Sequence, residues 1–184
     1  AVPWFPLEYT LSLWFRADDL AKPGLQQLFS AWRAGGDDPL RLTLEGGKLR
    51  ASLHHFMGIP TPPAFEPEAG RWYHAAVTFG PESSAPVDPA FARQAVSPFG
   101  SGAVSEADAQ ARTRIMKFYI EGKLLGSALH PVSLATEASD FALGANPHMA
   151  GEEFVGALAG FTFYEGVIDE AAIDKLAARQ PALI

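Results

Sequence analysis

Along the first third of the chain, apolar and polar residues alternate with a period of two. Tyr9, Leu11, Leu13 and Phe15 fall on one face, and Thr10, Ser12, Trp14 and Arg16 on the other. That spacing, with aromatic residues enriched, predicts a half-buried β-strand. Leu25 to Trp32 reads as a second strand, closed by the turn cluster Gly35-Gly36-Asp37-Asp38-Pro39. Leu40, Leu42 and Leu44 share a face, Glu45-Gly46-Gly47-Lys48 turns the chain back, and Leu49, Ala51 and Leu53 return; residues 40–56 are predicted to be a hairpin. The prolines between Pro60 and Pro67 bar that stretch from a sheet interior. In "RWYHAAVTFG", Tyr73, Ala75, Val77 and Phe79 face one way, and Trp72, His74, Ala76 and Thr78 the other.

"MKFYI" (116–120) alternates again, Glu121-Gly122 turns into "KLLGSAL", and "DFALGAN" gives a further short strand. In "FVGALAGFTFYEG", Leu158, Phe161 and Phe163 can face one core only if the alternation slips once, and Ala159-Gly160 is where a β-bulge would do so. One convincing helix is expected, at the end of the chain. Asp169 is its N-cap, Glu170 complements the helix dipole, Ile168 and Ile173 have hydrophobic-staple spacing, and Leu176 continues the stripe. Between Pro81 and Arg114 the pattern disappears into an Ala/Ser/Pro-rich piece, longer than an ordinary hairpin loop, with a short helix expected from Ser105 to about Thr113.

Composition narrows the function classes. The chain of 184 residues fits one domain (1–184) with a loop inserted at about 81–114. A formal charge of −7 argues against a nucleic-acid partner, which would draw on clustered Lys and Arg. No apolar run is long enough to cross a bilayer as a helix. With no cysteine there is neither a disulfide framework nor a thiolate nucleophile. The start at Ala1 is expected to reflect an excised or processed segment. Fifteen prolines and 17 glycines between short apolar runs suit an all-β fold rich in turns.

Four stretches, in order, resemble the laminin G-like branch of the concanavalin A-like jelly-roll superfamily, especially its bacterial members. They are "YTLSLWFRADD", "GRWYHAAVTF", "KFYIEGKLLGS" and "FALGANPHMAGEEFVGALAGFTFYEGVIDEAAIDKL". The resemblance implies a two-sheet antiparallel jelly-roll sandwich with a short C-terminal helix, in which Trp72 and His74 pack structurally at the end of an inner strand. Relatives carry an acidic pair where this chain has Ala159-Gly160, and their link is shorter than the piece from Pro81 to Arg114.

Enzymatic chemistry finds little support. Jelly-roll glucanases align their carboxylates as Glu-x-Asp-x-x-Glu along one strand, a string absent here, and the adjacent Glu152-Glu153 would point to opposite faces of a strand. The Arg/Tyr/His set of jelly-roll lyases and the Gly-x-Ser-x-Gly elbow are likewise missing. His54-His55, His74, His130 and His148 lack the tight spacing of a zinc site. Many relatives hold calcium at the sandwich rim, so hard oxygen donors in predicted loops are of interest. Asn146 and Glu152 in the Gly144-to-Glu153 loop lead, followed by Asp37 and Asp38, with Asp18, Asp19 and Asp140 also available. The competing explanation is that turns favour Asp and Asn. For sugar binding the candidates are Trp14 and Trp32 as aromatic platforms, with Arg41, Arg50 and His54 on polar strand faces. Trp14 points away from the predicted core, so either a partner uses it or a terminal segment such as Trp4-Phe5 covers it.

The expected function is therefore a non-catalytic binding module, foremost for carbohydrate, within a larger secreted or surface protein (extracellular, cell-surface or periplasmic). The alternative is a protein-interaction or structural module that docks a partner chain or a catalytic domain.

Overall fold

The structure, a computed structural model, describes residues 8–32, 39–53, 61–81, 113–131 and 140–179. Several expectations fall outside these residues: the sites at His54, Asp37 and Asp38, the cover from Trp4-Phe5, and most of the insertion with its short helix.

Two antiparallel sheets pack face to face. The first pairs β7 (Lys123–Pro131), β6 (Thr113–Ile120), β5 (Trp72–Gly80), β1 (Tyr9–Ala17) and β9 (Gly156–Glu165), in that order. The second pairs β4 (Lys48–Ser52), β3 (Leu40–Glu45), β2 (Leu25–Trp32) and β8 (Asp140–Leu143). This is the two-sheet jelly-roll sandwich that the resemblance implied, built from strands where the alternation set them. Between the sheets, Leu11, Leu13 and Phe15 of β1, Val77 and Phe79 of β5, Met116 and Phe118 of β6, and Leu40, Leu42, Leu44 and Leu49 of the β3–β4 hairpin form one buried cluster. Aromatic stacks run through it: Tyr9 lies 5.4 Å from Phe79 and 5.7 Å from Phe163, and Phe29 lies 5.8 Å from Phe161.

The predicted slip in β9 is present. Ser12 pairs with Thr162 but Trp14 pairs with Ala159, so Gly160 and Phe161 together oppose Leu13 alone. Gly160 has φ +59, the left-handed conformation that a bulge of this kind needs. The extra residue turns Leu158, Phe161 and Phe163 all toward the core. The β3–β4 turn likewise uses Gly46 and Gly47, both at positive φ, as a two-residue hairpin turn requires.

The C-terminal helix, α1 (Glu170–Ala177), forms as its sequence signals. The Asp169 carboxylate accepts the Ala172 N–H at 2.7 Å. Ile168 and Ile173 pack together over Ala76 and Tyr119, on the outer face of the five-stranded sheet.

One expectation needs correction. Trp72 is not a packed aromatic at the sheet end; it is half-buried on the outer face, with the Arg16 guanidinium 5.7 Å from its ring centre. Strand parity sets it opposite Tyr73, and Tyr73 takes the core position, stacked on Phe15 at 5.7 Å. The proline-rich stretch stays out of the sheet interior, as expected, and meets the sheet at its rim: Phe65 exchanges both backbone hydrogen bonds with Leu49, on the open edge of β4. Pairing at a single residue lets the flanking prolines stand outside the ladder.

Candidate functional site

The outer face of the four-stranded sheet gathers most of the residues picked out for binding. Register sets Trp32 beside Asp140, Ser30 beside Arg41, Arg41 beside Ser52, and Thr43 beside Arg50. Trp32, Arg41 and Arg50 therefore share one face across three strands. Trp32 is half-buried, Arg41 buried and Arg50 exposed.

The loop after β8 folds back against this face. His148 sets its ring 5.0 Å from Trp32, and its Nε2 lies 3.0 Å from an Asp140 carboxylate oxygen. Asp140 thus fixes the imidazole, and the imidazole props one side of the indole. Asn146 accepts the His148 N–H at 2.9 Å, which closes the loop locally. From Asn146 a polar chain crosses the sheet. Its Nδ2 donates to Glu152 Oε2 at 2.9 Å, Gln27 Nε2 donates to the same oxygen at 2.8 Å, and Thr43 Oγ1 donates to Gln27 Oε1 at 2.8 Å. Loop and sheet are clamped by charge-assisted bonds, so the Trp32 surroundings are preorganised.

Asn146 and Glu152, chosen as calcium ligands, do meet. As placed, they form a hydrogen-bonded clamp: one Glu152 oxygen receives two amide donors, and the Asn146 carbonyl oxygen accepts a backbone N–H. Among the described residues, no group of three or more His, Asp or Glu is placed to share an ion. Replacing Glu152 with Ala strands two amide groups on the buried side chains of Gln27 and Asn146. The expected cost is about 1–3 kcal/mol in urea unfolding, with much of it recovered in Glu152→Gln. A Glu152→Ala protein as stable as the wild type would show that the clamp carries no weight.

Trp14 is corrected. It sits on the outer face of the other sheet and is 6% exposed, so its ring is not an open platform. Its neighbour is His74, met edge-on at 5.4 Å. His74 Nε2 is hydrogen-bonded to Ser12 Oγ at 2.8 Å, and the His74 backbone N–H donates to Glu121 Oε1 at 2.6 Å. A serine and histidine at that distance have the spacing of a nucleophile and base, but both are buried, and a reacting carbonyl has no access through the described surroundings. The pair instead ties β1 to β5. Burial drives the His74 pKa down to about 4.

Gln27 and Thr43 are site members that the alternation did not reveal. The register of β2 slips between Gln27 and Phe29, so Gln27 and Trp32, which have opposite parity in sequence, share the outer face.

No protein-family model matches the chain, and no curated sequence is similar to it at a significant level. Solved structures share the fold. A heptameric pentraxin from Limulus polyphemus superposes with a TM-score of 0.57 at 12% identity, over 94% of this chain and 70% of that one. A presumed carbohydrate-binding protein from Bacteroides ovatus gives 0.58 at 13% identity, over 95% and 42%. Domain 4 of an extracellular GH43 arabinanase from Geobacillus stearothermophilus, solved with arabinotriose, gives 0.58 at 18% identity, over 93% and 66%. These matches show the fold alone, a jelly-roll sandwich; in the second, the chain spans 42% of the other protein.

Proposed function

We propose that this domain is a non-catalytic carbohydrate-binding module of the laminin G-like kind, part of a larger extracellular, cell-surface or periplasmic protein. The observation that carries the reading is the Trp32 ring, braced by the His148–Asp140 pair and set on the same sheet face as Arg41 and Arg50. The face of an indole offers a surface to the C–H face of a sugar, while the arginine and carboxylate groups around it suit its hydroxyls. That a structural neighbour was solved with arabinotriose, and another is presumed to bind carbohydrate, supports this choice of ligand class.

A glycan array followed by calorimetry tests it. The wild type is expected to bind a subset of glycans, and Trp32→Ala to weaken the best of them by about tenfold or more at unchanged melting temperature. Trp14→Ala, judged on a variant that still folds, should leave the glycan preference intact. Absence of any glycan ligand, or equal affinity of the Trp32→Ala protein, would overturn the reading. Calcium is included as an assay variable. Because Glu152 and Asn146 are satisfied by amides, binding is expected to survive EDTA; loss with EDTA would direct attention to Asp37 and Asp38 as ligands.

The protein-docking alternative has one observation in its favour. Phe141 is 62% exposed and Leu143 43% exposed on β8, an apolar pair on an edge strand. If partner capture depends on Phe141 while no glycan binds, that reading wins.

A further inference from the structure

A concavity lies on the other side of the sandwich, away from Trp32. It encloses about 330 Å³ on the outer face of the five-stranded sheet, beside the start of α1. That volume is at the lower end of small-molecule sites, roughly 300–1,000 Å³. Its floor is built from strand neighbours: Thr78 of β5 pairs with Lys117 of β6, and Tyr119 lies two residues along β6 on the same face. The loop before α1 and its first residue, Glu170, form the opposite wall.

Asp169 is committed to the helix cap, but Lys117 and Glu170 hold each other loosely across the cleft. Lys117 Nζ stands 3.9 Å from Glu170 Oε1, and Tyr119 Oη stands 3.5 Å from the same oxygen. Both distances are at the outer limit for their interaction. The Lys117 side chain is about one-third exposed and that of Glu170 about two-thirds, so parting them costs little. The Tyr119 phenol keeps its proton, because burial and then the Glu170 charge push its pKa up to about 12; it is a donor toward an oxygen. Ile115, Val167 and Ile168 supply the apolar walls.

The chemistry of the lining excludes three simple ligand classes. A plain anion would face the carboxylates of Glu170 and Asp169. A plain cation would face Lys117. A sugar would find no open aromatic plate, since Tyr119 is buried. A compact molecule carrying both charges and an apolar tail matches Lys117, Glu170 and the apolar wall together. We propose that this cleft is a binding site for a free apolar α-amino acid. Its ammonium group is received by Glu170, its carboxylate by Lys117, and its side chain lies against Ile115, Val167 and Ile168. The assignment is independent of the glycan reading, because the two sites lie on opposite sheets and take different ligands.

The test is calorimetry or ligand-observed NMR on the intact domain, with L-leucine against two analogues that each lack one charge, 3-methylbutylamine and 4-methylpentanoate. Leucine is expected to bind saturably, and each analogue at least about tenfold more weakly, the loss of one charge-assisted contact. Lys117→Met and Glu170→Gln should each reproduce that loss with the far-UV spectrum and melting temperature retained, and neither should change glycan binding. Should a variant fail to fold, the analogue comparison on the wild type still decides. No saturable leucine binding up to its solubility limit, or equal binding of either analogue, would overturn the assignment.

Discussion

Replacing Phe79 with Ala is expected to destabilise the domain by about 3–5 kcal/mol, whereas the same change at Trp72, seven residues earlier on the same strand, costs about 1 kcal/mol. Phe79 is fully buried, stacked on Tyr9 at 5.4 Å and near His130 at 6.1 Å, so truncation opens a cavity bounded by side chains from several strands. Trp72 rests on the outer face beneath Arg16, and its loss gives up a partly hydrated cation–π contact without emptying a core site. A total stability of about 5–15 kcal/mol is usual for a domain, so the Phe79 variant should unfold at markedly lower urea while the Trp72 variant stays near the wild type. Equal midpoints for the two variants would mean that the two faces of β5 have been exchanged.

The second large effect is expected on acidification. In the folded domain His74 titrates at about 4 because it is buried; in the unfolded chain it titrates at an ordinary 6.5. As pH falls below about 6.5, the unfolded chain takes up a proton that the folded one refuses, and the balance shifts toward unfolding. The loss begins near pH 6.5, is complete below about pH 4, and amounts to roughly 3 kcal/mol. The local geometry agrees with the direction. His74 Nε2 is engaged with Ser12, and Nδ1 is buried with no hydrogen-bond partner among the described residues, so a second N–H there would go unreceived. Urea unfolding at pH 7 and pH 4.5 should therefore show a steeper fall for the wild type than for His74→Gln, which cannot charge. Parallel falls in the two proteins would remove His74 as the cause.

Both predictions come from "RWYHAAVTFG", and they show how far strand parity carries. The alternation correctly separated Phe79 from Trp72 by face, but it does not say which outer-face residues are covered. His74 and Trp72 share that face; one is buried and the other half-exposed, because what lies over each comes from distant parts of the chain. Trp14 met the same difficulty. Its direction, away from the core, was legible in the spacing, yet whether its ring is open is a property of tertiary neighbours such as His74 of β5.

What the sequence by itself determined is the set of local choices. Periods of two made the strands, Gly46-Gly47 made the tight turn, Asp169 with Ile168 and Ile173 started the helix, and three apolar residues out of step located the bulge at Gly160. All of these are decided within a few residues by backbone sterics and by the need to bury one face. The binding face was not legible in that way. Gln27, Thr43, Asn146 and Glu152 are spread across more than a hundred positions, and a bulge in β2 brings to one face Gln27 and Trp32, which sequence parity sets on opposite faces. The cleft beside Glu170 likewise exists only because β5, β6 and the start of α1 come together. Such sites depend on which strands pair and in what register. Register is settled when the two sheets close over their shared core, since slipping one strand by a residue would turn its apolar face to water.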